Sequence, residues 1–209
     1  MNQFFLKVSQ WAVFLYLRSG LARFWYKLYQ LLWERSKRVP IRRFDDLGVM
    51  VKYMRDMKWR ADTWRELGDA ISSPEAVQWR ADNDPKHFIG DCDEFGVYQA
   101  AVINNELTDN VYWSALGLDR ADLLTVMWYK IGGKEWEGNH KGFGGHNVCL
   151  ISYLDGTFSY MDYGWPQARR ETIQEVVEDV RERYAQEFQP LGWAVSDPRS
   201  LKVKQAQRT

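Results

Sequence analysis

Two cysteines and three histidines in 209 residues leave little room for chemistry that needs many ligands. Cys92 and Cys149 give no zinc spacing, and two thiols cannot supply the disulfide framework of a small secreted domain. There is no phosphate-cradling glycine loop, no internal repeat and no low-complexity linker. The longest uncharged run in the first 43 residues, Val8 to Leu17, is ten residues, against the roughly 20 that a bilayer-spanning helix needs. A signal peptide is not expected either, because Lys7 follows Phe4-Phe5-Leu6, Arg18 ends the apolar run and no small-x-small cleavage site follows. The expectation is a cytoplasmic protein whose single domain, at 45% hydrophobic and 27% charged residues, buries a core without staples.

The net charge of zero conceals a split. Met1 to Arg43 carries nine basic residues and one acid, Glu34, for a net +8; the remainder carries 19 basic and 27 acidic residues, for a net −8. The same stretch holds ten of the 32 aromatics, among them Trp11, Phe24, Trp25 and Trp33. Two helical pieces around Ser19-Gly20, aromatic on one side and basic on the other, would suit an anionic membrane surface or an acidic partner. The alternative is an arm packed on its own domain or on a neighbouring subunit. No groove-reading nucleic-acid motif accompanies the basic residues, and the eleven tryptophans read as core and interface material.

Cys92 is the residue that divides enzyme from non-enzyme. In Gly90-Asp91-Cys92-Asp93-Glu94-Phe95, Asp91 can cap a helix while Glu94 reaches back to the Asp91 amide. Cys92 then becomes the first helical residue, where free backbone N–H groups favour a thiolate. The flanking acids work against this, because like charge raises a thiol pKa. The alternatives for Asp91, Asp93 and Glu94 are compensation by a histidine, neutralisation by a cation, or a plain role in which Asp91 and Glu94 cap and Asp93 faces water.

Downstream, His146-Asn147-Val148-Cys149-Leu150-Ile151-Ser152-Tyr153 reads as a strand, Leu154-Asp155-Gly156 as a turn and Thr157 to Tyr163 as a second strand. Parity decides whether His146 and Asp162 can meet. A two-residue loop would place Asp162 opposite Cys149, on the face away from His146. A three-residue loop ending in left-handed Gly156 pairs Tyr153 with Thr157, sets Asp162 opposite Val148 and makes it a diagonal neighbour of His146. In that register His146 is expected to face the Cys92 sulfur, with Asp162 on its other ring nitrogen. Cys149, inside the strand, reads as core; His87 and His140 read as loop residues.

A thiol, an imidazole and a carboxylate make an acyl-transfer site. Their order here, with Trp64, then Ser72-Ser73-Pro74-Glu75-Ala76-Val77, then Gly90-Asp91-Cys92, then Gly144-Gly145-His146 and Asp162, resembles the transglutaminase-like superfamily, most closely the bacterial transglutaminase-like cysteine proteinases. The resemblance spans residues 50 to 166. It implies Cys92 as nucleophile, His146 as general acid/base and Asp162 as its orienter, acting through a thioester on a protein or peptide substrate. It also implies calcium near Asp91, Asp93 and Glu94. The interval between Cys92 and His146 is longer than in that family, with Lys134 to Gly142 as an inserted loop.

Elsewhere Asp45 or Asp46 can start a helix to Met57, Ser73-Pro74 starts a short one, the Cys92 helix runs to Glu106, and Leu123 to Ile131 reads as a strand. Ile173, Val176, Val177, Val180, Tyr184 and Phe188 recur at helical spacing. The sequence therefore predicts an α+β, papain-like or transglutaminase-like domain over 44–198. It is preceded by a basic helical N-terminal arm over 1–43 and followed by a polar, mobile tail over 199–209. The expected function is a cysteine peptidase or amide acyl-transferase; the alternative is a non-catalytic scaffold that binds a membrane or partner.

Overall fold

The computed structural model describes residues 7–8, 10–12, 15, 20–59, 71–84, 86, 88–129, 143–185 and 188–208. Trp64, His87, His140 and the expected insertion at 134–142 lie outside the described residues. Helix α1 spans Gly20–Trp33. Helix α2, Leu47–Asp56, begins where Asp46 accepts a hydrogen bond from Val49 N at 2.8 Å. Helix α3, Pro74–Asn83, is capped by Ser73 and carries proline at its start, where the missing N–H would have had no partner. Strands β1 (Lys58–Trp59) and β2 (Phe88–Gly90) form a small parallel pair. Helices α4 (Cys92–Asp109) and α5 (Val111–Ala115) follow.

The rest of the chain builds a six-stranded antiparallel sheet from β3 (Leu118–Tyr129), β4 (Phe143–Tyr153), β5 (Phe158–Asp162), β6 (Trp165–Pro166), β7 (Gln189–Ser196) and β8 (Val203–Arg208). Helix α6, Ile173–Tyr184, lies between β6 and β7 in sequence. The strand order is β6-β5-β4-β3-β7-β8, so the longest pair, β3 and β4, is central. The fold is α+β, with helices on both faces of the sheet.

Strand alternation sorts the core into two layers. Cys149, Ile151 and Met161 pack with Phe95, Tyr98, Ala101 and Val102 of α4. On the opposite face Val148, Leu150 and Tyr160 pack with Val176, Val177 and Val180 of α6. Helix α4 is buried over most of its surface, which is why its sequence shows so little amphipathic contrast.

The β4–β5 hairpin adopts the three-residue register. Cys149 pairs with Met161, and Tyr153 N donates to Thr157 O at 3.0 Å. Gly156 N–H closes the turn on Tyr153 O at 3.0 Å, with Gly156 at φ 85°. Glycine fits there because a side chain would strain that backbone.

The end of the chain departs from the sequence expectation. Within the expected mobile tail, Val203–Arg208 forms a strand: β8 pairs with β7 from Gly192↔Arg208 to Ser196↔Val203. The closing helix stops at Tyr184, and β7 follows it. A polar edge strand carries a weak hydropathy signal, because backbone hydrogen bonds hold it while most of its side chains stay in water. Its strongest side-chain tie is Lys204 Nζ to Asp122 Oδ1 at 2.6 Å; Arg120 Nε holds the other oxygen at 3.0 Å, and Asp122 is buried. Lys204→Met is therefore expected to lower the unfolding free energy in urea by about 1–2 kcal/mol, because a buried carboxylate loses a charged donor. Lys202→Met should stay within about 0.5 kcal/mol of the parent. Equal, negligible effects would mean that β8 is undocked in solution.

Candidate active site

Two carboxylates build the N-terminus of α4. Asp91 caps the helix and accepts from Asp93 N at 3.0 Å, while Glu94 Oε2 accepts from Asp91 N at 3.2 Å, completing a capping box. Glu94 Oε1 accepts from Ser72 N at 3.2 Å and lies 3.7 Å from Arg80 Nη2. Through a contact with Ser72, 22 residues away in sequence, the Ser-Pro-Glu helix start and the Gly-Asp-Cys segment thus meet on the Glu94 carboxylate. Gly90 is required beneath it: its φ is 138°, and a Cβ there would lie 2.4 Å from Glu94 Oε2.

Cys92 is the first residue of α4 and is partly exposed, whereas Cys149 is fully buried and its thiol pKa is pushed up, first by burial and then by Asp122. Cys92 Sγ donates to Asp93 Oδ1 at 3.5 Å. Asp93 is itself buried and does not face water. Its Oδ1 also accepts from Asn147 Nδ2, and Asn147 Oδ1 accepts from Thr125 Oγ1 at 2.5 Å. The N2 position of the helix points at β4, which explains the burial.

His146 and Asp162 meet as the hairpin register requires: His146 Nε2 lies 2.9 Å from Asp162 Oδ1, and both side chains are buried. Asp162 Oδ2 accepts from Tyr184 Oη at 2.5 Å and from Arg183 Nη1 at 3.5 Å, both on α6. The Tyr184 ring lies against the imidazole at a centroid distance of 4.0 Å. Burial alone would raise the Asp162 pKa. The hydrogen bond and charge of His146, then Tyr184 and Arg183, outweigh it and bring the carboxyl below its ordinary value.

One expectation is altered. His146 shares its face of β4 with Val148 and Leu150, the α6 side, while its neighbour Asn147 is the residue turned toward α4. No hydrogen bond joins Cys92 to His146 among the described residues. The two halves meet at Tyr163, in the turn after β5. Tyr163 and Gly164 lie at φ 47° and 82° between the paired residues Asp162 and Trp165, the backbone of a type I′ turn. A tyrosine in that conformation costs on the order of 1 kcal/mol. In return its ring lies 5.0 Å from that of Phe95 on α4 and 5.5 Å from His146. Burial, and then the proximity of Cys92 and Asp162, raise the Tyr163 pKa, so its hydroxyl stays protonated. Gln99 from α4 secures the turn when its amide is turned to satisfy both ends, donating to Met161 O at 3.2 Å and accepting from Gly164 N at 2.7 Å.

Sequence reasoning names Cys92, His146 and Asp162 as candidates and does not name Tyr163, Asn147 or Gln99 beside them, nor Tyr184 as a polar partner. Helical spacing puts Tyr184 in the packing stripe of its helix, and only the proximity of α6 to β5 gives it a polar partner. The calcium expectation does not fit the donor set. Asp91, Cys92 and Asp93 place ligand atoms within 4.8 Å of one another, but Glu94 is consumed by the cap, both aspartates already accept hydrogen bonds, and the third atom is sulfur. A hard cation takes about six to eight oxygens. No family model, no curated protein and no solved structure matches the chain.

Glu94 gives the site a pH signature. Burial, then the charge of Asp91, raise its pKa from 4.5 to about 7. Between those values the folded state binds more protons than the unfolded state, so this contribution to stability is complete below about pH 4.5 and is lost as pH rises to about 7. The full span is worth about 3 kcal/mol. Urea unfolding across that range should show the decline, and Glu94→Gln should flatten it. A parent whose stability does not depend on pH there would remove Glu94 as the buried titrating group.

Proposed function

We propose that this chain is a thiol-dependent acyl-transfer enzyme, a cysteine peptidase or amide acyl-transferase of the transglutaminase-like kind. The observation that carries the reading is the buried His146–Asp162 pair. A carboxylate on Nε2 fixes the tautomer with its proton on that nitrogen, leaving the Nδ1 lone pair to take a thiol proton. The placement of Cys92 at the start of a buried central helix against an antiparallel sheet supports a papain-like arrangement. The Cys92 amide is then the natural first donor to an oxyanion.

In the proposed reaction, His146 accepts the Cys92 proton and the thiolate attacks an amide carbonyl. The C–N bond breaks as His146 returns the proton to the leaving amine. Water or a second amine then attacks the thioester, giving acid or a new amide and regenerating the thiol. Asp162 stays ionised throughout, held by Tyr184 and Arg183. His146 lies beyond the last residue pair of β5 with β4, with the Tyr163 ring 5.5 Å from it.

A non-catalytic scaffold is the second reading. It is favoured by the thiol's hydrogen bond to Asp93 and by the position of His146 on the α6 face. Alkylation with iodoacetamide separates the two. The enzyme reading expects Cys92 to react at about pH 6 to 7 at least about a hundredfold faster than Cys149, and His146→Ala to shift that reactivity to the ordinary thiol range near pH ~8.5. A Cys92 rate that rises only in the ordinary range and is unchanged in His146→Ala would leave the scaffold reading.

A further inference from the structure

Helix α1 is mounted with its polar side inward. Gln30 and Glu34 are each 4% exposed: Gln30 Nε2 donates to Ile71 O at 3.0 Å, and Glu34 Oε2 accepts from Ser73 N at 2.9 Å. Lys27 Nζ, on the same side, donates to Arg199 O. The outward side carries Phe24, Trp25, Leu31, Leu32 and Trp33, each between 58% and 62% exposed. A surface helix normally does the reverse, burying its apolar stripe and showing its polar one. The pattern repeats upstream, where Gln10 Nε2 reaches Pro190 O at 3.4 Å while Val8, Trp11 and Leu15 are about half exposed.

Five large apolar side chains exposed together on one helix are the kind of patch that marks an interaction surface. Its chemistry selects the occupant. Aromatic and leucine side chains rimmed by cations are what a helix lying in a bilayer interface presents. Here exposed Arg23 lies near one end of the helix, on the Lys27 side, and exposed Arg35 follows Trp33 at the other end. A second copy docking through the same face would bring these cations against their equivalents, whereas anionic headgroups neutralise them. We propose that α1 is an in-plane membrane anchor that seats the protein on an anionic lipid surface, with the domain held against its polar back.

The test is co-sedimentation of the full chain with vesicles of phosphatidylcholine alone or mixed with phosphatidylserine, at low and high salt. The expected result is binding to the mixed vesicles that falls at least about tenfold without the anionic lipid. High salt should weaken it as screening shortens the reach of the charges. Two variants change only exposed side chains: Phe24→Ser with Trp25→Ser and Leu32→Ser removes the apolar contact, and Arg23→Glu with Arg35→Glu reverses the rim. Each should reduce binding at least about tenfold while leaving the circular dichroism and melting transition of the parent. Binding that ignores anionic lipid, or that survives both variants, overturns the proposal. So does a concentration-dependent dimer in sedimentation velocity that the apolar-face variant dissolves while the parent ignores vesicles, because a second copy would then cover the face.

Discussion

The pairing of Cys149 with Met161 governs the candidate site, because strand parity converts one register into a set of neighbours. In this register His146 and Asp162 share a face and come within hydrogen-bonding distance. A slip of one residue would turn Asp162 away, leaving a buried carboxylate without its imidazole. The cost of such a state, a buried charge stripped of partners, makes the three-residue loop and left-handed Gly156 more than a local preference. Tyr184 and Arg183 reinforce the same choice from another element, since their hydrogen bonds to Asp162 exist only when Asp162 faces α6.

Parity also divides the site. Asn147, adjacent to His146, must point the other way, and it anchors the start of α4 through Asp93. The thiol therefore arrives at the sheet through a helix on one layer while the imidazole belongs to the other. A molecule with this arrangement needs a group that reaches around the end of the strand. Tyr163 is placed there by a strained turn that Gln99 holds closed from α4. Strain in a side-chain-bearing residue persists only where its surroundings overdetermine it. Here the restraints are the aromatic contacts on both sides and the hydrogen bonds of Gln99.

Much of this was legible because it is local. Asp46, Ser73 and Asp91 announced three helix starts through short-range capping, and Asp91 with Glu94 spelled a capping box that the structure contains. The hairpin register followed from a loop of three residues and one glycine. What escaped depends on contacts distant in sequence. Nothing near Glu94 discloses that Ser72 and Arg80 will converge on it, and nothing near Tyr184 discloses Asp162. Strand β8 escaped for a different reason. A polar edge strand is specified by the free edge of β7 and the buried carboxylate of Asp122, neither of which leaves a mark within residues 203 to 208.

The basic arm shows how composition can be right about a segment and silent about its orientation. Its charge and aromatic content are visible in the first 43 residues, but they fit an arm packed on the domain as well as one facing outward. The structure satisfies both descriptions at once through different sides of the same helix. Gln30 and Glu34 have carried polar groups into contact with the backbone of the α3 start, where Ser72 also meets Glu94. The inward side of the arm and the cap of the nucleophile helix therefore share one short segment, Ile71 to Ser73. A shift of α1 would be felt first at the Ser72–Glu94 hydrogen bond, and hence at the helix turn that carries Cys92.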